Sequence, residues 1–462
     1  MQTKQLSEFV YQLRSGDLPP GAVEAGKKSV EDLIGAAIAG SRSGQGGIWR
    51  SYFTRPPQLP EASVWAPRFP RCTAAQAAAL NAAWAHILDM DDVHNGSVSH
   101  LGAVTIPAAL ALGQRLHRSG REVLCAVAAG YEVGARVGEA ITPGSYYYWH
   151  TTGLVGPLAA AAAAGTLLRL SPDHLLHALG SAGTQAAGLW EFLSDGAMSK
   201  PLHTANATLC GIRSAELAAL GLTGASRILE GGRGLLRAVS PEYHPEFLTR
   251  DLDPARLKLA ETSLKPYPCC RHTHGAVYAA GRLRAQAQFT PDDVVEITDR
   301  TYRLAVQTVD APSPATPYAC KFSAQYCISA MLLRDSLAED AFTPGAASDP
   351  AQRELMARVR VVEDGALEAL HRSDPACWPH LLEITLRDGT VLRLQVDYPP
   401  GDVRNPFDWD AVDRKFRAAT AGLLPDAQAR RLCGAIRRLE ELEDVNELFA
   451  GLGAEIETGG YR

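Results

Sequence analysis

The sequence predicts a mainly α protein with a second, α+β domain: a multi-helix bundle formed by both ends of the chain, carrying an inserted α+β lid. Three observations predict it. From residue 22 to about 240, apolar residues recur at three- and four-residue spacing, among many Ala, Leu and Glu, as amphipathic or buried helices require. After Lys265 the pattern changes to alternating, β-branched runs interspersed with helical ones. From "NPFDWDAVDRKFRAAT" onward the helical period returns. The simplest assembly assigns residues 1–265 and 405–462 to one discontinuous helical domain and 266–404 to the lid.

The helices follow in order. "AVEAGKKSVEDLIGAAIAG" comes first, then "TAAQAAALNAAWAHILDM", where Thr73 and Gln76 form a capping-box pattern. "IPAALALGQRLHRSG" and "REVLCAVAAGYEVGARVGEAI" follow. "GLVGPLAAAAAAGTLL" is shorter than a membrane span and rich in alanine, so it predicts a tightly packed buried helix. Ser171-Pro172 opens the next helix with proline at its first turn, and "LCGIRSAELAALGLTG" completes the set. These segments share no fixed period, which argues against a solenoid. In the lid, "DDVVEITDRTY" and "RVRVVED" predict strands, and "LEITLRDGTVLRLQV" predicts a hairpin with Asp388-Gly389 at two positive-φ turn positions. The terminal "ETGGYR" is expected to fray.

Bulk composition excludes several function classes. A net charge of −6 offers no basic field for nucleic acid or an anionic membrane. The nine cysteines are odd in number, scattered and without a C-x-x-C pair, so neither a disulfide framework, a zinc ribbon nor an iron–sulfur site is expected. The N-terminus lacks the apolar core of a secretory signal, and a cytoplasmic location is expected.

Four polar clusters can carry chemistry. "DMDDVHNGSVSHLG" (89–102) packs three aspartates and two histidines between helical segments. It matches neither an EF-hand loop nor a zincin pair, so it reads better as an acid–base loop than as a metal site. At least one of Asp91 and Asp92 is expected to be a solvated helix-end charge. "YYYWHTTG" places His150 before a helix, and "SKPLHTAN" places Lys200 and His203 before another. "LKPYPCCRHTHG" gathers Lys265, Arg271, His272 and His274 at the domain junction, with Cys269 and Cys270 read as packed thiols. Cations at helix N-termini suit a small anionic substrate.

In this order and spacing, the segments "GDLPPGAVEAGKKSVEDLIGAAIAG", "HILDMDDVHNGSVSHLGAVTIPAALALG", "AGYEVGARVG", "WHTTGLVGPLAAAAAAGTLLRLS", "KPLHTANATLCGIRSAELAALGLTG", "LKPYPCCRHTHGAV", "CKFSAQYCISAML" and "RKFRAA" resemble the MmgE/PrpD family over nearly the whole chain. The resemblance implies a helical domain with an α+β lid, a homodimer and no cofactor; from the residues themselves no metal is expected. It implies a lyase, most like a dehydratase, acting on a small di- or tricarboxylate. The alternatives are an iminodisuccinate-type epimerase, a cis-aconitate-type decarboxylase or a noncatalytic binding protein. Matching the family's motifs, Asp89, His100, His150, Lys200 and Lys265 are carried over as catalytic, with Asp89 orienting a histidine of near-neutral pKa. Lys200, Lys265, His203, Arg271 and His272 are expected to bind the substrate. Val93 stands where the decarboxylase-type "DFDDT" motif carries threonine, and the longer "NDTW…GHPSD" loop of dedicated 2-methylcitrate dehydratases is missing.

Overall fold

The computed structural model describes residues 1–14, 16–53, 59–67 and 69–450, so the terminal "ETGGYR" lies outside the described residues. Its first half is helical: α1 (Gln2–Leu13), α2 (Pro20–Arg42), α3 (Gly44–Phe53), α4 (Ala74–Ile87), α5 (Gly102–Arg115), α6 (Gly120–Ile141), α7 (Thr151–Leu167), α8 (Pro172–Gly183) and α9 (Lys200–Ala219). Local chemistry sets several starts. Thr73 accepts from the Gln76 N–H, Ser171 accepts from the His174 N–H, and Ser119 with Glu122 forms a complete capping box.

The alanine-rich α7 is buried along its whole length, at the centre of the first core. It packs on α5, α6, α8 and α9. Small side chains set how closely these axes approach. At Gly211 on α9, a Cβ would lie 2.4 Å from that of Ala160 and 2.6 Å from the Ala161 backbone nitrogen, so only glycine permits this crossing. The late helices Trp409–Thr420 and Asp426–Ile436 return to α2, and Phe416, Leu432 and Ile436 belong to the same core as α7.

A four-stranded mixed sheet underlies the second core. With β3 (Val294–Thr301), β4 (Val359–Glu363), β5 (His380–Leu386) and β6 (Val391–Val396), its order is β4-β3-β5-β6. β3 pairs parallel with β4 and antiparallel with β5, while β5 and β6 form the hairpin. Its turn differs from the expected two-residue form. Leu386 N donates to Thr390 O at 2.8 Å, leaving Arg387, Asp388 and Gly389 as a three-residue loop. Among the turn residues only Gly389 takes positive φ (86°), the left-handed position that closes such loops.

A second, two-stranded sheet positions the site. β1 (Val93–His94) pairs antiparallel with β2 (Thr262–Ser263), which ties the 89–102 stretch to the segment leading into Lys265. Val93, Val98, Tyr146, Trp190 and Phe192, from the first half of the chain, pack into the second core beside residues of 269–396. The polar clusters therefore meet where the two cores adjoin.

Candidate active site

Helix α4 ends at Ile87, and Asp89 then takes a left-handed backbone conformation (φ 56°). Asp is one of the few residues that tolerate this region, at some conformational cost. The reversal turns the three aspartates inward. Asp89, Asp91 and Asp92 are all essentially inaccessible, which corrects the expectation of a solvated helix-end charge. Each is compensated differently, which is how three carboxyl groups can be buried in four residues.

Asp89 Oδ1 accepts from Lys200 Nζ at 2.8 Å and from Lys265 Nζ at 3.0 Å. Burial works to raise its pKa, but the two ammonium groups overcome that and hold it well below the usual carboxylate range. Asp91 Oδ2 accepts from His86 Nδ1 at 2.8 Å. Asp92 instead accepts from the Tyr131 hydroxyl at 2.6 Å and the Gly102 N–H at 3.1 Å. With no cation beside it, burial pushes its pKa up to about 8, so it is a neutral acid at pH 7.

The histidines stack around this triad. The His86 ring lies 4.8 Å from His100 and 5.4 Å from His150, and the His100 and His150 centroids are 6.2 Å apart. His100 Nδ1 donates to the Asp92 carbonyl at 2.8 Å, which leaves Nε2 as the basic nitrogen. The expected orienting role of Asp89 therefore falls elsewhere: its oxygen is 4.0 Å from His100 Nε2, beyond a hydrogen bond, and the Asp92 carbonyl fixes the ring. The histidines also depart from the expected near-neutral pKa. Burial, with Lys265 and Lys200 nearby, outweighs Asp91 and pushes His100 down to about 3. Burial, His203 and Lys200 hold His150 well below its ordinary value. Both rings are neutral bases at pH 7 in this structure.

His150 precedes α7 without capping it, and its Nδ1 lies 3.0 Å from His203 Nδ1. Lys200, the first residue of α9, sits 5.0 Å above the Phe322 ring. A narrow cleft is lined by Asp89, His100, His150, Lys200, Arg271 and His272, with an apolar wall that includes Val93, Val98, Tyr146, Trp190, Phe322 and Trp378. Lys265 stands behind Asp89, fully buried and also donating to Cys269 O at 3.1 Å. His203 likewise lies behind His150 rather than on the cleft wall. Arg271 donates to Asp402 at 2.8 Å, and His272 stacks on Trp378 at 4.2 Å with its Nδ1 2.5 Å from the Tyr302 hydroxyl. His274 Nε2 donates to the Cys269 carbonyl at 3.2 Å, away from the cleft wall. Cys269 and Cys270 are buried, and burial pushes the Cys270 thiol up to about 12, far from a nucleophile.

Among the described residues, buried Asp89 Oδ2, His150 Nε2, His272 Nε2 and Arg271 Nε make no hydrogen bond within the protein. Buried polar atoms seldom go unsatisfied, so a polar ligand is the natural partner for those on the cleft wall. A metal is a separate question. His86, Asp89, Asp91 and His100 place possible donor atoms within 4.8 Å of one another. Asp89 Oδ1 is already shared by two ammonium groups and Asp91 Oδ2 by His86, and a cation on the remaining oxygens, Asp89 Oδ2 and Asp91 Oδ1, would face the charge of both lysines. The donor set fits lysine charge better than metal charge.

Sequence reasoning missed His86, Trp190, Trp378 and Lys321. His86 carried a signal, three residues before Asp89 on the same helix end. Lys321 Nζ donates to Leu88 O at 3.0 Å and Pro268 O at 2.7 Å, joining the segments that carry Asp89 and Lys265. Burial lowers its pKa to about 8, with Asp89 opposing.

Paired lysines sharing one buried carboxylate beside neutral, buried imidazoles thus sit on a helical scaffold with a mixed-sheet second part. The chain belongs to the MmgE/PrpD family: the MmgE/PrpD N-terminal domain matches residues 4–248 and the C-terminal domain residues 267–441. Cis-aconitate decarboxylases of Mus musculus and Homo sapiens are each 28% identical over 96% of this chain, covering 92% and 93% of those relatives. The mitochondrial 2-methylcitrate dehydratase of Yarrowia lipolytica is 32% identical over 34% of this chain and 31% of its own length. The chain is thus an enzyme of this family, consistent with a lyase. Among the described residues, no helix is long and apolar enough to cross a membrane.

Proposed function

We propose that this chain is a lyase for a small tricarboxylate, and that it moves a proton at carbon beside a carboxylate. The observation that carries the reading is one buried carboxylate, Asp89, shared by Lys200 and Lys265 at the edge of a cleft also lined by His100 and His150. Lys200 reaches the cleft wall while Asp89 lies beside it, so a substrate carboxylate can pair with its Nζ. Decarboxylation of a cis-aconitate-type substrate is preferred, because relatives of that name align over nearly the whole chain. Dehydration is the second reading, supported by the shorter stretch at 32% identity.

In the preferred reaction the bond from carbon to a departing carboxylate breaks, and its electron pair spreads toward a remaining carboxylate. A proton then closes the carbon. Lys200 holds the carboxylate where charge accumulates, and a preorganised donor of this kind contributes about 10²–10³ in rate. Asp89 holds that side chain in place through Oδ1, an oxygen it shares with Lys265. His100 Nε2 and His150 Nε2 are the two candidate proton carriers, an effect of order 10²–10⁴. Their low pKa values belong to the unloaded cleft. A polyanionic substrate offsets the lysines' field and raises both, so one ring can arrive at the reaction as imidazolium. No step needs a cofactor or metal.

The same reading takes 266–404 as a lid on a discontinuous helical domain of 1–265 and 405–462, supported by the packing of Phe416 and Ile436 in the first core. A turnover screen of small polycarboxylates, followed by proton NMR, tests the function. Loss of substrate with a new alkene product supports it, and inertness toward every tricarboxylate opposes it.

A further inference from the structure

We propose that Lys415, in the "RKFRAA" motif of the returning C-terminal helix, is a positioning residue that holds the Asp89 turn for catalysis. This rests on the reading of Asp89 as the carboxylate that fixes Lys200 in the cleft. Lys415 is not on the cleft wall. Its Nζ donates to the Met90 carbonyl at 2.7 Å and pairs with Asp32 Oδ1 at 2.5 Å. Met90 directly follows Asp89, so the bond grips the backbone one residue beyond the carboxylate that Lys200 and Lys265 share.

The turn needs such a grip. Asp89 is left-handed, and a non-glycine residue stays in that region only where its surroundings hold it. The carbonyl of the residue before it, Leu88 O, accepts from Lys321 at 3.0 Å, and that of the residue after it accepts from Lys415. Charged donors make stronger hydrogen bonds than neutral ones, and here one stands on each side of the strained residue. They arrive from different parts of the chain. Lys321 belongs to "CKFSAQYCISAML", and Lys415 to the helix Trp409–Thr420 that packs on α2.

The crossing of that helix on α2 sets where Lys415 stands. Asp32 and Gly35 lie one turn apart on α2, opposite the adjacent Lys415 and Phe416. A Cβ at Gly35 would meet Phe416 Cδ2 at 3.0 Å and its Cα at 3.5 Å, so the two helices approach closely. Phe416 is buried in the first core, and the buried Asp32 anchors the lysine beside it. The C-terminal segment thus completes the core and also carries a group to the catalytic turn.

The test compares Lys415→Met, Asp89→Asn and the double variant in steady-state turnover of cis-aconitate. Met keeps the stem and removes the donor. Burial holds the Asp32 carboxyl above its ordinary pKa even beside Lys415, so it can take a proton when the lysine is lost. Should Lys415→Met still fail to fold, the comparison is made in an Asp32→Asn background, which strands no carboxylate. Positioning predicts kcat lowered at least about tenfold in Lys415→Met, with KM within about threefold of wild type. Added to Asp89→Asn, the same change should cost less than about threefold more, because both act through one group. Additive losses, or wild-type kcat in folded Lys415→Met, would overturn the proposal and leave a contact that serves stability alone. Wild-type kcat in Asp89→Asn would instead sink the reading of Asp89 on which it rests. A crystal structure of Lys415→Met reads the turn without turnover: Asp89 Oδ1 should lie beyond hydrogen-bond distance of Lys200 or Lys265. Both bonds intact, with Asp89 still left-handed, would reject the positioning role.

Discussion

Replacing Lys200 by Met tests the charge logic most sharply, because its consequences for folding and for chemistry separate. Met nearly matches the lysine stem in length and keeps the packing over Phe322, while the ammonium is lost. Removing one partner of a buried ion pair generally costs about 3–5 kcal/mol, since the other charge is stranded. Asp89 is not stranded here, because Lys265 still donates to the same oxygen at 3.0 Å. The loss of stability should therefore fall below that range, and the variant should fold. Catalysis has no such reserve: Lys200 lines the cleft and Lys265 stands behind Asp89. Loss of one preorganised donor predicts a fall of about 10²–10³ in kcat/KM, or roughly 3–4 kcal/mol at the transition state. The assay pairs thermal unfolding with turnover of cis-aconitate read by proton NMR. A folded Lys200→Met protein with kcat/KM within about threefold of wild type would refute the electrostatic role of this lysine.

Two further perturbations address the neighbours. His100→Asn keeps an amide able to donate to the Asp92 carbonyl but cannot take a proton, so substrate should still bind while kcat falls by about 10²–10⁴; unchanged turnover would remove His100 from proton transfer. Asp92→Asn should alter the pH dependence of stability. The folded carboxyl, raised to about 8, holds its proton while the unfolded chain releases it above 3.8, so wild-type stability declines as pH rises through that window. Asn removes a slope of up to ~1.4 kcal/mol per pH unit, and the variant should gain on wild type in melting temperature between pH 5 and pH 8. A constant difference across that range would show that Asp92 is already ionised.

Much of the helical scaffold was legible because its causes are local. Caps at Thr73 and Ser171, and the alanine run of α7, act within a few residues. The identity of Asp89, His100, His150, Lys200 and Lys265 as one group was legible only through the family resemblance, since no periodicity links positions 89 and 265. Their partnerships were not legible. A run of aspartates ordinarily means solvent, and only the left-handed turn at Asp89 and the β1–β2 pairing bury it. Asp89 was expected to steer a histidine, yet two lysines, one from the start of α9 and one from the loop after β2, claim its oxygen first. Trp190, Trp378 and Lys321 reach the site or its supports from loops and helices whose meeting depends on how the two cores adjoin. The hairpin turn failed for a smaller reason: the "DG" pair fits both a two-residue turn and the observed three-residue loop, and only register decides.

The central claim is proton transfer beside a carboxylate, without help from a metal. It is tested most directly by incubating EDTA-treated, dialysed protein with cis-aconitate in D₂O and following proton and carbon NMR. The account predicts turnover undiminished by the chelator, with a product carrying deuterium on a carbon next to a carboxylate or conjugated to one. Product lacking that label, or activity that EDTA abolishes and added Mg²⁺, Zn²⁺ or iron restores, would contradict it.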